Sequence, residues 1–210
     1  MNAMEICLLH ADGLMKMMST DSTDMSHVFT TSRNLRLQGV MDRYDGVVRF
    51  EDNLVVTGVK RGTMYWCNVS LEDGHVDTIH QMCKVDEWNW SCVTTKDNII
   101  YISCADLLFP VTGVYGFDIL NPSQCKYTYK HQRLQWPRSI VINEDRNIFV
   151  CNGFKDDSCI HQLTALCQLV SIFTQGIPWK LNAIFWDNGH LNGTREWSRN
   201  ITVFKPVYSD

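Results

Sequence analysis

The chain is poor in helix-forming residues. Its 210 residues include only five Ala and six Glu, against 18 Val, 14 Ile and 15 Thr. β-Branched side chains are stiff at χ1 and pack well on pleated surfaces, so an all-helical bundle is excluded. No apolar run approaches the roughly 18 residues of a membrane-spanning helix, and no membrane association is expected. The first residues, MNAMEICLLHADG, lack a basic segment, and their apolar run is broken by His10 and Asp12. They do not read as a secretory signal, which leads to the expectation of a cytoplasmic protein. The formal net charge is −4, without the strong positive balance of a non-specific nucleic-acid binder. A local basic patch stays open.

Motifs that carry chemistry are also scarce. There is no GxSxG, P-loop, GxGxxG, HxH or HExxH, and the nine cysteines contain no CxxC pair. No metal site, catalytic residue, cofactor or small-molecule substrate is therefore expected. Most cysteines lie in apolar, strand-like runs, where a free thiol acts as a small hydrophobe. Four Asn-x-Ser/Thr sequons, at Asn68, Asn89, Asn192 and Asn200, leave a secreted propeller hydrolase as a further alternative. Such an enzyme needs carboxylates converging on a channel calcium. Asp52, Asp97 and Asp145 have a sufficient explanation as turn residues. Tyr65-Trp66 resembles half of a YWTD signature but continues as Cys67-Asn68. His75 and His80 fall on opposite faces of a strand. His161 alternates with apolar neighbours and reads as a satisfied strand histidine.

What the chain does have is a repeat. EICLLHADGLMKM, GVVRFEDNLVVTG, SCVTTKDNIIYIS, SIVINEDRNIFVC and NAIFWDNGHLNGT share one order: apolar strand, acidic or amide turn, apolar strand. Their turn aspartates, Asp12, Asp52, Asp97, Asp145 and Asp187, are 40, 45, 48 and 42 residues apart. A tight antiparallel turn needs a residue in the left-handed region, which Asp, Asn and Gly tolerate best. The longer Asp145-Arg146-Asn147 turn predicts a bulged or three-residue loop. Two further strand candidates follow in each repeat. In the first, SHVFTTS and LRLQGVM are separated by a polar turn at Ser32-Arg33-Asn34.

Four strands per 40–48 residues make a propeller blade. The fold class expected is thus all-β. A single β-propeller domain spans residues 1–210, with about five four-stranded blades near 5–41, 46–83, 90–132, 137–175 and 181–208. The last blade stops at its third strand, and residues 1–4 are too short to complete it. Either a five-bladed ring or a six-bladed ring lacking a blade fits this count.

The segment Trp136-Pro137-Arg138-Ser139-Ile140-Val141-Ile142-Asn143-Glu144-Asp145-Arg146-Asn147-Ile148-Phe149-Val150-Cys151-Asn152 resembles the start of an NHL repeat, with Asn152 where Asp is usual. Ser158–Leu163, Asp24–Thr31 and Asn200–Phe204 are similar to a later strand of that repeat. The chain as a whole resembles the C-terminal propeller of tripartite-motif (TRIM) proteins. That resemblance implies a scaffold that binds protein partners or RNA. Ubiquitin transfer in such proteins belongs to a RING, for which this chain has no Cys/His array.

The links between blades place aromatic and basic residues at blade intervals: Arg43 and Tyr44, Trp88 and Trp90, Trp136 and Arg138, Trp179 and Lys180. In a propeller these links share one face. Large aromatics and Arg are the residues of protein-binding hot spots, and they also stack single-stranded bases while cations meet phosphates. The competing reading is that these aromatics wedge between blades as core. Asp42, Asp45 and Glu87 nearby favour a protein partner over RNA.

Overall fold

The structure, a computed structural model, describes residues 5–9, 13–20, 29–37, 40–72, 75–85, 90–105, 112–153, 158–178, 180–187, 189–195 and 201–204. All regular structure among them is β-strand, so none of them forms a helix able to cross a membrane. The chain divides into two compact units, Met1–Cys83 and Lys84–Asp210.

The first unit holds two antiparallel sheets. One is β1 (Glu5–Leu9), β2 (Leu14–Thr20) and β3 (Phe29–Arg36). The other is β4 (Arg43–Phe50), β5 (Asn53–Lys60), β6 (Thr63–Ser70) and β7 (Val76–Lys84). The second unit holds three sheets. These are β8 (Trp90–Lys96), β9 (Ile99–Ala105), β10 (Gly113–Asp118) and β11 (Asn121–Tyr129); β12 (Pro137–Ile142), β13 (Ile148–Asn152), β14 (Cys159–Leu163) and β15 (Leu169–Phe173); and β16 (Leu181–Asp187), β17 (His190–Arg195) and β18 (Ile201–Phe204). In every sheet consecutive strands are neighbours, which is the meander expected from the repeat.

The first sheet differs from expectation. The polar turn predicted at Ser32-Arg33-Asn34 is strand: Arg33, Asn34 and Leu35 pair with Met17, Lys16 and Met15. One strand with a bulge at Met17/Met18 replaces two short ones. The local polarity of that tripeptide is outweighed by ladder hydrogen bonds along the whole of β2, and tertiary context commonly overrides such weak turn propensity.

The recurring turn does take left-handed backbone, but not always at the aspartate. Gly13 (φ 82°), Asp97 (φ 53°) and Gly189 (φ 76°) fit the residue preference. In the second and fourth repeats the position falls to Glu51 (φ 52°) and Arg146 (φ 65°). The longer fourth turn is tied by Asn143: its Oδ1 accepts from Asn147 N at 2.8 Å, and its carbonyl accepts from Arg146 N at 3.1 Å. Asn143 is buried, so the loop is held by a side chain that mimics backbone.

Burial explains why the sheets are small and many. β13 is buried at all five positions, and β5 and β9 are buried along most of their length. In the first unit Met15 and Leu37 pack with Leu54, Val56, Cys67 and Val69. In the second, Tyr101 and Tyr129 pack with Ile148, Val150 and Leu163, while Phe149 and Cys151 on the opposite face meet Leu181, Ile184 and Leu191. β13 is therefore packed on both faces.

His80 on β7 lies against Trp66, with ring centroids 4.2 Å apart. Burial holds it below its ordinary value of 6.5, because desolvation disfavours the imidazolium. A histidine depressed in the folded state stabilises fully above its unfolded value. That stability is lost as pH falls below 6.5 toward the folded value. Urea unfolding between neutral and mildly acidic pH is expected to show this loss in the wild type and a shallower one in His80→Leu. Parallel pH profiles would contradict the assignment.

Candidate functional site

The candidate site is built where the chain enters β12. Trp136 immediately precedes the strand. Its backbone N–H donates to Asn152 Oδ1 at 2.7 Å, and its carbonyl accepts from Gly153 N at 3.1 Å. Asn152 is fully buried at the end of β13, so its amide fixes the entering chain. Asn152 thus has a local role that needs only a side-chain acceptor.

Arg138 lies above the Trp136 ring, its guanidinium carbon 5.5 Å from the centroid, within the range of a cation–π contact worth about 0.5–1 kcal/mol near a surface. Both residues are half-buried. The Arg138 backbone continues inward: its carbonyl accepts from the Cys92 thiol at 2.9 Å. Gly153 marks a close approach of the next sheet. A Cβ there would clash with Leu181 O and sit 2.8 Å from Arg138 Cγ. Lys180 stands one residue before β16 in left-handed backbone, φ 57°. Trp136, Arg138 and the start of β16 therefore gather around Gly153.

The other sequence candidates separate. Trp90 opens β8, paired with Ala105. Trp88 and Trp179 lie outside the described residues. In the first unit Arg43 forms a fork with Asp45, Nε–Oδ1 at 2.7 Å and Nη2–Oδ2 at 3.3 Å, and the Asp45 side chain is only 3% exposed. Tyr44 is corrected. It is 5% exposed and packs with Met15, Leu54 and Cys67 rather than offering a surface. Its hydroxyl donates to Leu37 O and accepts from Met41 N, both at 3.2 Å. Here the core-wedge reading of a periodic aromatic holds, because the phenol finds two backbone partners while its ring fills the core.

Sequence reasoning missed two features. His161, the satisfied strand histidine, sits in a buried network. Tyr129 Oη lies 2.7 Å from its Nδ1 and Cys159 Sγ 3.3 Å from its Nε2, and the His131 ring packs edge-on with centroids 5.3 Å apart. The i, i+2 spacing of Cys159 and His161 was a signal for one contact; Tyr129, 32 residues away, gave none. The second feature is an apolar cavity of about 470 Å³ lined by Phe149, Ile160, Phe173, Ile177, Leu191 and Phe204 among others, with Thr174 and Gln175 the only polar side chains among the described residues that line it.

Three buried thiols are not poised for chemistry. Burial pushes Cys67 and Cys167 up to about 12, and Cys151 higher still. A thiolate is the reactive form, so these groups are inert near neutral pH. Tyr129 is likewise raised to about 12, chiefly by burial. Among the described residues no three His, Cys, Asp or Glu side chains group as metal ligands.

Removing the Asn152 acceptor tests how the site is held. Asn152→Ala leaves the part-buried Trp136 N–H without its acceptor and is expected to lower unfolding stability by about 1 kcal/mol. Unchanged denaturant midpoints would show that the amide does not anchor this entry.

No family model and no curated protein matches the chain. Solved structures do. The computationally designed Ika4 protein superposes with a TM-score of 0.57 at 14% identity, over 81% of this chain and 95% of that one. Glutaminyl cyclase of Myxococcus xanthus gives 0.53 at 12% identity, over 78% of this chain and 66% of that one. At such identities the likeness is one of fold, and with the repeated antiparallel meanders it makes the chain an all-β protein of the β-propeller class.

Proposed function

We propose that the chain is a non-catalytic, NHL-type propeller that binds a protein partner through the surface around Trp136 and Arg138. The observation that carries this reading is the Arg138 guanidinium held above the Trp136 ring at 5.5 Å. An Arg stacked on an indole is pre-organised, loses little side-chain entropy on binding, and presents both a flat apolar face and a forked donor. Lys180 stands one residue before β16, whose Leu181 carbonyl approaches the same glycine, and in the sequence it follows Trp179. In this reading the propeller has about five blades, or is a six-bladed ring short of one. It selects substrates for a TRIM-type ubiquitin ligase whose RING is supplied elsewhere. No cofactor takes part.

Arg138→Glu reverses the cation while leaving the backbone contacts of β12 in place. Crosslinking capture from cell extract is expected to recover a partner with the wild type and lose it with Arg138→Glu, at an unchanged melting temperature. Measured against the purified partner, a hot-spot residue of this kind is expected to cost at least about 2 kcal/mol, roughly thirtyfold in Kd. Capture that survives the charge reversal, or that fails only together with the fold, overturns the proposal. Capture of RNA, with affinity falling steeply as salt rises, replaces protein binding by RNA binding through the same surface.

A further inference from the structure

The apolar cavity of about 470 Å³ is bounded by the sheet β12–β15 on one side and the sheet β16–β18 on the other. Phe149 and Ile160 of the first and Leu191 and Phe204 of the second form its walls. Phe149, Ile160 and Leu191 are buried, so the cavity reaches into the core between the sheets. Its mouth is marked by Val203, which is 56% exposed, and by Thr174 and Gln175, exposed in the link from β15 to β16. Protein interiors hold few voids larger than a water molecule, and an empty space leaves its lining without dispersion partners. Apolar cavities stay dry and take apolar molecules, one of roughly 150 Å³ accepting a benzene. This cavity is about three times that size.

Charge narrows the occupant further. No Asp, Glu, Lys or Arg is among the described residues that line the cavity. The stretch that supplies Ile160 and the link, residues 158–179, contains none at all. A charged group drawn into such surroundings is desolvated without a partner, which is costly. The polar side chains on offer, the Thr174 hydroxyl and the Gln175 amide, are neutral and adjacent at the mouth. One wall is a fixed aromatic surface: Phe149 stacks on Trp186, with centroids 5.3 Å apart and ring planes 17° apart. Phe173 and Phe204 add two further rings, and aromatic rings favour offset-stacked or edge-on aromatic neighbours. We infer that the cavity is a binding site for an uncharged aromatic molecule of about three rings, whose single hydrogen-bonding group meets Thr174 and Gln175 at the mouth. The described lining holds no His, Cys, Asp or Glu, so the site is one for binding. It shares no described residue with the surface at Trp136 and Arg138, and the two stand independently.

Two fluorescent probes with one skeleton test size and charge together. N-phenyl-1-naphthylamine is neutral, with three rings and a single N–H; 1-anilinonaphthalene-8-sulfonate differs by its sulfonate. The wild type is expected to bind the neutral probe saturably, one per chain, and the sulfonate at least about tenfold more weakly. Val203→Asp brings a carboxylate to the mouth and is expected to weaken the neutral probe by about tenfold or more at an unchanged melting temperature. Thr174→Arg, at an exposed link position, is expected to reverse the order of the two probes, whereas a loosened fold would take up both; it carries the test if Val203→Asp fails to fold. Absence of saturable binding by the neutral probe, or many probes per chain, overturns the inference. So does a wild type that takes the sulfonate as tightly as the neutral probe, or a pair of folded variants that bind both probes as the wild type does.

Discussion

The second strand of each four-stranded sheet is buried on both faces, and the rest of the structure follows from that. β5 reads NLVVTGVK, β9 IIYISCA and β13 IFVCN, and in each the side chains on both faces are removed from water. An amphipathic strand needs one covering layer; a strand apolar on both faces needs two. Around β13 the two layers are visible, with Ile148 and Val150 against Tyr101, Tyr129 and Leu163, and Phe149 and Cys151 against Leu181 and Ile184. Within each unit such sheets are stabilised where a neighbouring sheet covers them. This is the physical content of the repeat, and it accounts for the scarcity of Ala and Glu and the abundance of Val, Ile and buried Cys.

The same constraint governs the polar groups. Residues drawn into the layers must bring or find partners. Asn143 and Asn152 satisfy backbone donors at a turn and at a strand entry. His161 uses both ring nitrogens, on Tyr129 and Cys159. Tyr44 fills the core with its ring and spends its hydroxyl on Leu37 and Met41. Trp136, at the entry to β12, and Arg138, within it, are held by their backbones while their side chains stay partly in solvent.

The architecture was legible because it rests on short-range signals. The alternation of apolar runs and turn residues located β4–β6, β8, β9 and β12–β17 closely, since turn chemistry and strand periodicity act within a few residues. Where the reading failed, a longer-range effect won. Ser32-Arg33-Asn34 looks like a turn, yet pairing along β2 keeps it extended. The left-handed position falls on Glu51 and Arg146 instead of the neighbouring aspartates, because ladder register decides which turn residue takes the strain. Tyr44 and Trp136 looked alike as periodic aromatics before a strand. Their environments separate them: hydrogen-bond partners at Leu37 and Met41 draw one into a core, and Arg138 covers the other. Partners so chosen by packing leave no local mark in the sequence, which is why the Tyr129–His161 contact was not foreseen either.

Native-state hydrogen exchange addresses the two-face burial most directly. Strands covered on both sides open only when neighbouring sheets separate, so the slowest amides should lie in β5, β9 and β13, while β11 and β15 at the outer edges exchange through local opening. In the second unit the protection of β9 and β13 should converge on the free energy of unfolding that unit. Amides of β13 that exchange as fast as those of β15 would contradict the account, since the strand would then not be the layer on which its neighbours depend.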